Sequence, residues 1–418
     1  MGGASFPVEK KTTINKAIPQ PEPTTHAQPT KPVGVVILGG DFQALGVTRS
    51  LARQNVPVYL LDKGLCIGRF SRYIWKFGKC PDAREETLLC RFLVDLARKE
   101  NFEGWVLYPN DDDTVRFLAR NKEQLEEYYR VTTPPWEVVR FACEKRLTYE
   151  FAEKNGIAVP KTFFPRNVAE LEQLDMEFPV IIKPSVKEPF YSRTGKKAIR
   201  TDSKEELIDE FTRVREVIGD SEIMVQEFIP GGSANLFSVG SLCKDGELLA
   251  NIVARRLRQH PMDFGHATTY AETVDIPEMV ELATRILKAM GYYGLSEVEF
   301  MWDPRDGQYK LIEINPRPWG WHTLAIGAGV DLPYLLYRDM LGEEVGQNGV
   351  TPRQAKWIRL VTDIPTAASA ILKGRLRFGD YIRSLKGKKQ FAVFSIKDPL
   401  PFIVELFMLP YLWKKRGF

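Results

Sequence analysis

The sequence has few cysteines, no long apolar run and no marked excess of either charge. Its five cysteines are scattered through 418 residues without a C-x-x-C pair, which excludes a zinc site or disulfide framework with that spacing. The net charge is only +4, and no basic stripe interleaved with aromatic residues occurs, so nucleic-acid binding is not expected. With 44% hydrophobic and 27% charged residues, the composition is typical of a globular protein.

The N-terminal region has no apolar segment of the kind found in secretory signals, so we expect a cytoplasmic protein with reduced thiols. Residues 1–31 are rich in Pro and Thr and contain few large apolar groups. Such a segment cannot bury enough surface to offset the entropy lost on ordering, and it is predicted to be a disordered tail.

An α/β domain is predicted over residues 32–135. An apolar run at 33–38 meets Gly39 and Gly40, a helix-like segment follows, and a second apolar run at 56–61 comes next. Strands that alternate with helices around a glycine turn are typical of a parallel, Rossmann-like layer.

Binding of NAD by this layer is an alternative. Asp62 stands at about the spacing of a ribose-binding acid, but the glycines at 39, 40 and 46 do not fit G-x-G-x-x-G. A Rossmann-like layer without a dinucleotide is therefore the preferred interpretation.

The character of the chain changes over residues 136–345. Short turns such as residues 303–308 separate its predicted strands, which favours a mainly antiparallel sheet. Residues 346–418 form a third, apolar and basic segment.

Acidic side chains share one face of two predicted strands. In a strand, side chains alternate, so Glu313 and Asn315 share one face, while Ile312 and Ile314 are expected to point into a core. Residues 297–300 of the preceding strand repeat the pattern, with Glu297 and Glu299 on one face. The turn at 303–308 makes these two strands a predicted hairpin.

Clustered carboxylates repel each other and are costly to bury, and a divalent cation removes both costs. Mg²⁺ prefers hard oxygen ligands that it shares with phosphates. Pro316 ends the strand, and Arg317 follows with a guanidinium suited to phosphate or carboxylate. Lys145 and Lys183 are further candidates for contacting a phosphate chain.

These residues carry a family resemblance. The ordered series of Lys145, "VIIKP", "VQEFIPGG", "RRLRQ", "EVEF" and "IEINPR" resembles the ATP-grasp superfamily, and within it the predicted ATP-dependent carboxylate–amine ligases. The resemblance covers residues 33–345. It implies a mixed α/β and α+β architecture: a Rossmann-like N-terminal domain at 32–135, and an ATP-grasp domain at 136–345 with a small lid and a larger antiparallel sheet. A C-terminal extension follows at 346–418.

The resemblance also implies roles for individual residues. Two lysines contact ATP phosphates, a hinge receives the adenine, three oxygen-bearing side chains hold Mg²⁺ or, as a substitute, Mn²⁺, and two arginines face the γ-phosphate and an acyl-phosphate formed from it. In that order these are Lys145 and Lys183; Gln226, Glu227 and Ile229; Glu299, Glu313 and Asn315; and Arg256 and Arg317.

Two departures from the family pattern concern the nucleotide. Many relatives have Glu where Gln226 stands, and the ribose-binding acid after the glycine turn is replaced here by Ser233, Ala234 and Asn235. Asn235 is the substitute that we expect to contact the ribose.

The function implied is an ATP-dependent ligase that joins a small carboxylic acid to an amine, for which an amino acid is the expected class. Trp319, Trp321 and His322 are candidates for the acceptor pocket, and packing of a domain interface is an equal alternative. Alternative functions are phosphorylation of a hydroxyl or enol, an NAD-linked oxidoreductase and a nucleotide-binding module without turnover. The sequence indicates neither the substrates nor the oligomeric state.

The C-terminal run "DPLPFIVELFMLPYLWKKRGF" has two interpretations. Glu405 and Pro410 interrupt it, so we do not expect it to span a bilayer. A helix that packs on the ligase is preferred, and a peripheral membrane anchor at the interface is the alternative.

Overall fold

A computed structural model describes residues 33–184, 198–219, 222–262, 265, 267–345 and 352–416. The predicted tail at 1–31 lies outside these residues, and so does most of the sequence "KEPFYSRTGKKA" at 187–198, which the resemblance assigns to the lid. The strands are β1 Val35–Leu38, β2 Val58–Asp62, β3 Lys76–Lys79, β4 Trp105–Pro109, β5 Tyr129–Val131, β6 Thr162–Phe163, β7 Val180–Pro184, β8 Ile199–Thr201, β9 Ile223–Glu227, β10 Leu236–Lys244, β11 Glu247–His260, β12 Ala267–Val274, β13 Gly294–Asp303, β14 Gln308–Asn315, β15 Lys356–Ile358 and β16 Lys389–Phe391.

Helices lie between and around these strands. They are α1 Phe42–Ala52, α2 Glu86–Glu100, α3 Asp112–Arg120, α4 Lys122–Glu126, α5 Trp136–Cys143, α6 Lys145–Lys154, α7 Val168–Glu172, α8 Lys204–Ile218, α9 Pro277–Met290, α10 Thr323–Gly327, α11 Leu332–Met340, α12 Leu360–Leu372, α13 Phe378–Ser384, α14 Leu400–Phe407 and α15 Leu409–Arg416, with short 3₁₀ turns at Gly68–Phe70 and Gly232–Asn235.

The N-terminal part of the described chain is a parallel sheet in the order β3-β2-β1-β4-β5. The apolar residues of β1 are fully buried because helices cover both faces of such a sheet. Gly39 ends β1 with φ +98°, which glycine adopts readily, and the Asp41 side chain then caps α1. The prediction of a Rossmann-like layer is confirmed.

A larger sheet has the order β14-β13-β10-β11-β12-β15-β16 in the described residues. Its strands pair antiparallel except for β15 and β16. Helix α9 packs on one face, where Ala283, Ile286 and Leu287 are fully buried with Val298 and Ile314 of the sheet. The mainly antiparallel architecture predicted for this part of the chain is confirmed.

A smaller sheet has the order β6-β9-β7-β8 in the described residues, and its strands precede those of the larger sheet in the sequence. Helix α8 covers it with Leu207, Phe211 and Val214, which recur at the three- to four-residue spacing of a helix face. Ser203 caps this helix by accepting a hydrogen bond from the Glu206 amide. This sheet corresponds to the small subdomain predicted from the resemblance.

The segment between β14 and α10 packs the parallel layer onto the larger sheet. Trp319 and Trp321 are each 1% exposed, and their rings meet edge to face 5.2 Å apart. A Cβ atom at Gly240 would lie 2.0 Å from the Trp319 ring, so this approach requires glycine. The buried aromatic pair therefore fixes how the two layers meet.

His322 belongs to the same interface. Its Nδ1 donates to the Trp319 carbonyl oxygen at 2.8 Å, and its Nε2 has no hydrogen-bond partner in the described part of the chain. Burial lowers the pKa of His322 to about 4, because desolvation disfavours the charged imidazolium. The ring is therefore neutral near pH 7.

The C-terminal segment is built into both layers. Strands β15 and β16 extend the larger sheet. The Asp398 carboxylate accepts from Arg49 Nε at 2.9 Å, Ser71 Oγ at 2.7 Å and the Arg72 amide at 3.0 Å. The boundaries at 135 and 345 stay predictions, since these contacts cross them. No helix within the described ranges is long and apolar enough to cross a membrane.

The Asp398 contacts generate a stability prediction. Asp398→Ala should lower the free energy of unfolding by about 3–5 kcal/mol, because it leaves the buried Arg49 guanidinium uncompensated. Asp380→Ala is the control: its partner Arg383 is exposed, so the loss should be at most about 1 kcal/mol. Urea denaturation of both variants measures the difference, and equal losses would contradict the role of Asp398.

The buried His322 predicts a pH dependence of stability. Its folded-state pKa lies below the unfolded value of 6.5, so the unfolded chain binds more protons and stability falls as pH decreases from 6.5 towards 4. His322→Asn should reduce the loss by about 3 kcal/mol relative to the parent chain. Denaturant midpoints at pH 7.5 and pH 4 give both losses; the same loss in the two proteins would show that His322 does not control it.

Candidate active site

Strands β13 and β14 form the predicted hairpin. Glu297 pairs with Asn315 and Glu299 with Glu313, while Gly307, with φ +69°, lies in the turn between the strands. The four polar side chains are therefore presented by facing positions of neighbouring strands, as the sequence predicted.

A β-bulge in β14 changes part of that prediction. The register runs from Glu299–Glu313 directly to Phe300–Leu311, so Ile312 is an extra residue on its strand. Leu311 and Ile314 face the α9 core, whereas Ile312 is only half-buried and lines a cavity beside Glu313. The expectation that Ile312 points into a core was wrong, because the bulge shifts the alternation of side chains.

Basic and amide side chains compensate the buried acids. Arg256 Nη2 lies 3.0 Å from Glu297 Oε1 and 2.5 Å from Glu299 Oε1. Asn315 Nδ2 donates to both acids, at 3.1 Å and 3.0 Å, and Trp321 Nε1 donates to Glu297 Oε1 at 2.8 Å. The set is a closed network of opposite charges rather than a row of free carboxylates.

This network shifts two pKa values. Burial, together with the charge of Glu299, raises the pKa of Glu297 to about 7 despite the nearby guanidinium. Burial opposes the charge on Arg256, but Glu299 and Glu297 outweigh it and its pKa is raised.

The two lysines approach the site from different elements. Lys145 opens α6, and its Nζ lies 3.1 Å from Glu313 Oε1. Burial would lower the pKa of Lys145, but Glu313 outweighs this effect and raises it. Lys183, near the end of β7, donates to Gln226 Oε1 at 3.0 Å.

Arg317 connects the site to the parallel layer. Its Nε donates to Asp112 Oδ1 at 2.6 Å, and its Nη2 donates to Asn315 Oδ1 at 3.2 Å. Asp112 is the first residue of α3, directly after the sequence "PND". The arginine that follows β14 is thus held by an acid from the other layer.

A cavity of about 430 Å³ opens between the smaller and larger sheets. Its polar lining includes Lys183 of the smaller sheet and Arg256, Glu299 and Glu313 of the larger one. Seven residues proposed from the sequence line it together: Lys183, Gln226, Glu227, Ile229, Arg256, Glu299 and Glu313. Apolar residues that the sequence did not single out line it too, namely Ile181, Phe228, Leu236, Met301 and Ile312.

The hinge residues have internal partners. The Glu227 carboxylate accepts from Lys310 Nζ at 2.9 Å and from Arg305 Nη2 at 2.7 Å. Gln226 Nε2 donates to Thr162 Oγ1 at 2.8 Å. Gln226 is therefore held by the neighbouring strand β6, and Glu227 by β14 of the larger sheet and the turn before it.

Several proposed residues lie outside the cavity lining. Asn315 donates a hydrogen bond to Glu299, which lines the cavity, and Arg317 donates one to Asn315. Asn235 donates to the Pro230 and Trp302 carbonyl oxygens, at 3.2 Å and 3.3 Å, and holds the glycine turn. Trp319, Trp321 and His322 belong to the buried interface between the layers. Their role in contacting an acceptor stays a prediction.

Glu297 is a site residue that sequence reasoning placed on the right face but did not assign. The signal in the sequence was the alternation of side chains along β13, which places Glu297 on the same face as Glu299. The partners of Glu227 could not be found in this way, because Arg305 and Lys310 lie 78 and 83 residues further along the chain.

The geometry of Asp62 does not favour the dinucleotide alternative. Its Oδ2 accepts from the Gly40 amide at 2.6 Å, and its Oδ1 accepts from the Gly64 amide at 2.7 Å. The carboxylate thus fixes two turns of the parallel layer, where a ribose hydroxyl would compete with backbone donors.

Comparisons with known proteins agree with this geometry. A family model described as "ATP-grasp in the biosynthetic pathway with Ter operon" matches residues 220–363. A D-aspartate ligase of Enterococcus faecium is 26% identical over 301 residues, which cover 68% of this chain and 70% of that protein.

Solved structures show the same fold. An L-amino acid ligase from Bacillus licheniformis has a TM-score of 0.56 at 16% identity, over 77% of this chain and 75% of that one. A biotin carboxylase domain from Hydrogenobacter thermophilus, in complex with MgADP, has a TM-score of 0.58 at 17% identity, over 75% and 71% of the two chains. The predicted resemblance and the expectation of an enzyme are confirmed: the chain has the ATP-grasp fold and resembles the carboxylate–amine ligases of that superfamily.

Proposed function

We propose that the chain is an ATP-dependent ligase that joins a small carboxylic acid to an amine through an acyl-phosphate, with release of ADP and phosphate. The observation that carries this proposal is the 430 Å³ cavity. Apolar side chains line part of it, and Lys183, Arg256, Glu299 and Glu313 bring both charges to the rest. That combination suits a nucleotide with a flat base and a charged phosphate chain.

The base would lie against the apolar part of the lining. Ile181 of the smaller sheet, Met301 of the larger sheet and Ile229, which follows β9, provide apolar contacts for the faces of the base. Gln226 and Glu227 shape the hinge through their internal hydrogen bonds. Asn235 holds the glycine turn that would adjoin the ribose, and Lys145 and Lys183 would contact the phosphates.

Glu299, Glu313 and Asn315 would hold Mg²⁺, with Mn²⁺ as a substitute. Two carboxylates on paired strands suit a hard cation that shares its ligands with phosphate, and the Asn315 amide, whose Nδ2 faces Glu299 in the structure, would turn its oxygen towards the cation. Among described residues, no three His, Cys, Asp or Glu side chains are grouped as a metal site; the proposed set has two acids, which Arg256 and Lys145 contact. When bound, the cation would neutralise charge on the β- and γ-phosphates.

The reaction follows from the chemistry of amide formation. A carboxylate is a poor electrophile because oxide is a poor leaving group. One carboxylate oxygen would attack the γ-phosphorus and break its bond to the ADP oxygen. The amine nitrogen would then attack the acyl carbon, phosphate would leave with the electron pair of the C–O bond, and the amine would lose a proton.

Arg256 and Arg317 would stabilise the negative charge that develops in both steps. Arg256 lies in the cavity lining, and Arg317 is directed by Asp112 and Asn315. No side-chain nucleophile is required.

The substrate class rests on the relatives. The D-aspartate ligase and the L-amino acid ligase are named for amino-acid substrates, and we propose an amino acid as one substrate here as well. A cytoplasmic location, where ATP is available, fits this function.

Loss of the Glu313 carboxylate should abolish turnover. Glu313→Gln is expected to lower substrate-dependent ADP release at least about 100-fold, because it removes the negative charge of a proposed Mg²⁺ ligand beside the phosphates. Amino acids and small acids are screened in a coupled ADP assay, with circular dichroism as the check on folding. Glu281→Gln, an exposed acid of α9, is the matched control and should retain full activity. Unchanged turnover in Glu313→Gln would refute the metal assignment.

Hydroxylamine distinguishes ligation from phosphorylation of a hydroxyl. An acyl-phosphate reacts with hydroxylamine to give a hydroxamate, which ferric ion reveals by colour. We expect ATP- and acid-dependent hydroxamate in the absence of amine. Substrate-dependent ADP release with a stable phosphate ester and no hydroxamate would favour the hydroxyl kinase instead.

Narrowing the apolar part of the cavity should weaken ATP binding selectively. Ile181→Trp fills space proposed for the base, and we expect the KM for ATP to rise at least about tenfold while kcat changes less. Thr212→Trp, on the exposed face of α8, is the control with the same new side chain. Equal KM values for the two variants would place the base elsewhere.

A further inference from the structure

The C-terminal segment carries an apolar face that the rest of the described protein leaves exposed. It consists of Ile396, Leu400, Ile403 and Phe407, which we call the docking face. Their exposed fractions are 85%, 49%, 44% and 83%. The spacing of four, three and four residues places Leu400, Ile403 and Phe407 on one side of α14. Side chains of this size are costly to leave in water together.

The opposite side of α14, continued into α15, packs against the rest of the protein. Pro401, Glu405, Met408 and Leu412 are buried and recur at the same helical spacing. Glu405 Oε1 accepts from Arg359 Nη2 at 2.8 Å. Packing therefore explains one apolar face of this segment and leaves the docking face without a structural role in the described chain.

The segment that carries this face, residues 346–418, is strongly positive. Residues 346–418 contain 14 Lys and Arg but four Asp and Glu, a net charge of +10 in a chain whose total is +4. The remainder of the chain is accordingly negative. The basic and acidic groups are thus unevenly divided between the C-terminal segment and the rest.

Burial makes this asymmetry larger at the surface. Asp363, Asp398 and Glu405 are each at most 1% exposed and pair with Arg258, Arg49 and Arg359. In the described part of this segment, the exposed acid is Asp380. Exposed basic residues are Arg353, Lys373, Arg375, Arg377, Arg383, Lys386, Lys388 and Lys397.

We propose that the docking face binds the surface of an anionic lipid bilayer. Its aliphatic and aromatic side chains would enter the boundary between headgroups and acyl chains, and the exposed lysines and arginines of the same segment would attract the lipid phosphates. The helices lie on the membrane in this arrangement, since no described helix is long enough to cross it.

Charge favours a bilayer over a second copy of the chain. A twofold contact through this face would bring two positively charged segments together, whereas anionic headgroups neutralise them. Nucleic acid would match the charge, but three of the four side chains of the docking face are aliphatic and offer it neither stacking nor hydrogen bonds.

Vesicle flotation of the full chain tests this proposal. Phosphatidylcholine vesicles with and without phosphatidylglycerol are compared at low and high NaCl. We expect flotation with the anionic vesicles, little with the neutral ones, and weaker binding at high salt. The double variant Ile403→Asp/Phe407→Asp should lower the vesicle partition coefficient at least about tenfold. Leu88→Asp, at an exposed apolar position on α2 with 51% exposure, should bind like the parent chain.

Other outcomes would overturn the proposal. The parent chain could fail to float, or the double variant could float equally well. Light scattering could instead show a dimer that the double variant dissociates, which would assign the face to a second copy. ADP release in solution and circular dichroism should be the same for all variants, because these residues are exposed and lie outside the cavity lining.

Discussion

The candidate active-site cleft depends on the compensation of buried carboxylates by basic side chains from other elements of the fold. Glu297 and Glu299 are nearly inaccessible to water, and each would cost several kcal/mol if Arg256 were absent. Lys145 does the same for Glu313. These ion pairs connect α6, β11, β13 and β14, so one helix and three strands of the larger sheet are positioned by the charges that the proposed chemistry needs.

The same pairs explain how one cleft can serve before and after nucleotide binding. In the structure, guanidinium and ammonium groups neutralise the acids. On the proposed function, Glu299, Glu313 and Asn315 would hold a metal ion whose charge would compensate the acids, and Arg256 and Lys145 would be available to the phosphates. Charge balance would then be kept in both states, which would avoid an uncompensated buried charge. The Arg317–Asp112 pair extends this balance to the parallel layer.

Alternation and turn residues were sufficient to predict the parallel layer, the antiparallel sheet and the β13–β14 hairpin, because these depend on local sequence. The bulge at Ile312 could not be predicted, because its sequence, "LIEIN", alternates as a regular strand does. The bulge arises from the way β14 pairs with β13, which the local sequence does not indicate. Partners of Glu227 and Glu297 come from distant strands, which no local pattern indicates. The tryptophans after β14 fitted two interpretations equally, and burial between layers shows where they pack.

The most direct test of this account is a crystal of the protein soaked with a non-hydrolysable ATP analogue and Mn²⁺. An anomalous peak should lie between Glu299 and Glu313, within coordination distance of both, with the triphosphate beside it and Arg256 moved from Glu299 towards the γ-phosphate. An empty cleft at saturating analogue, or manganese bound elsewhere while Arg256 still holds Glu299, would contradict the central claim.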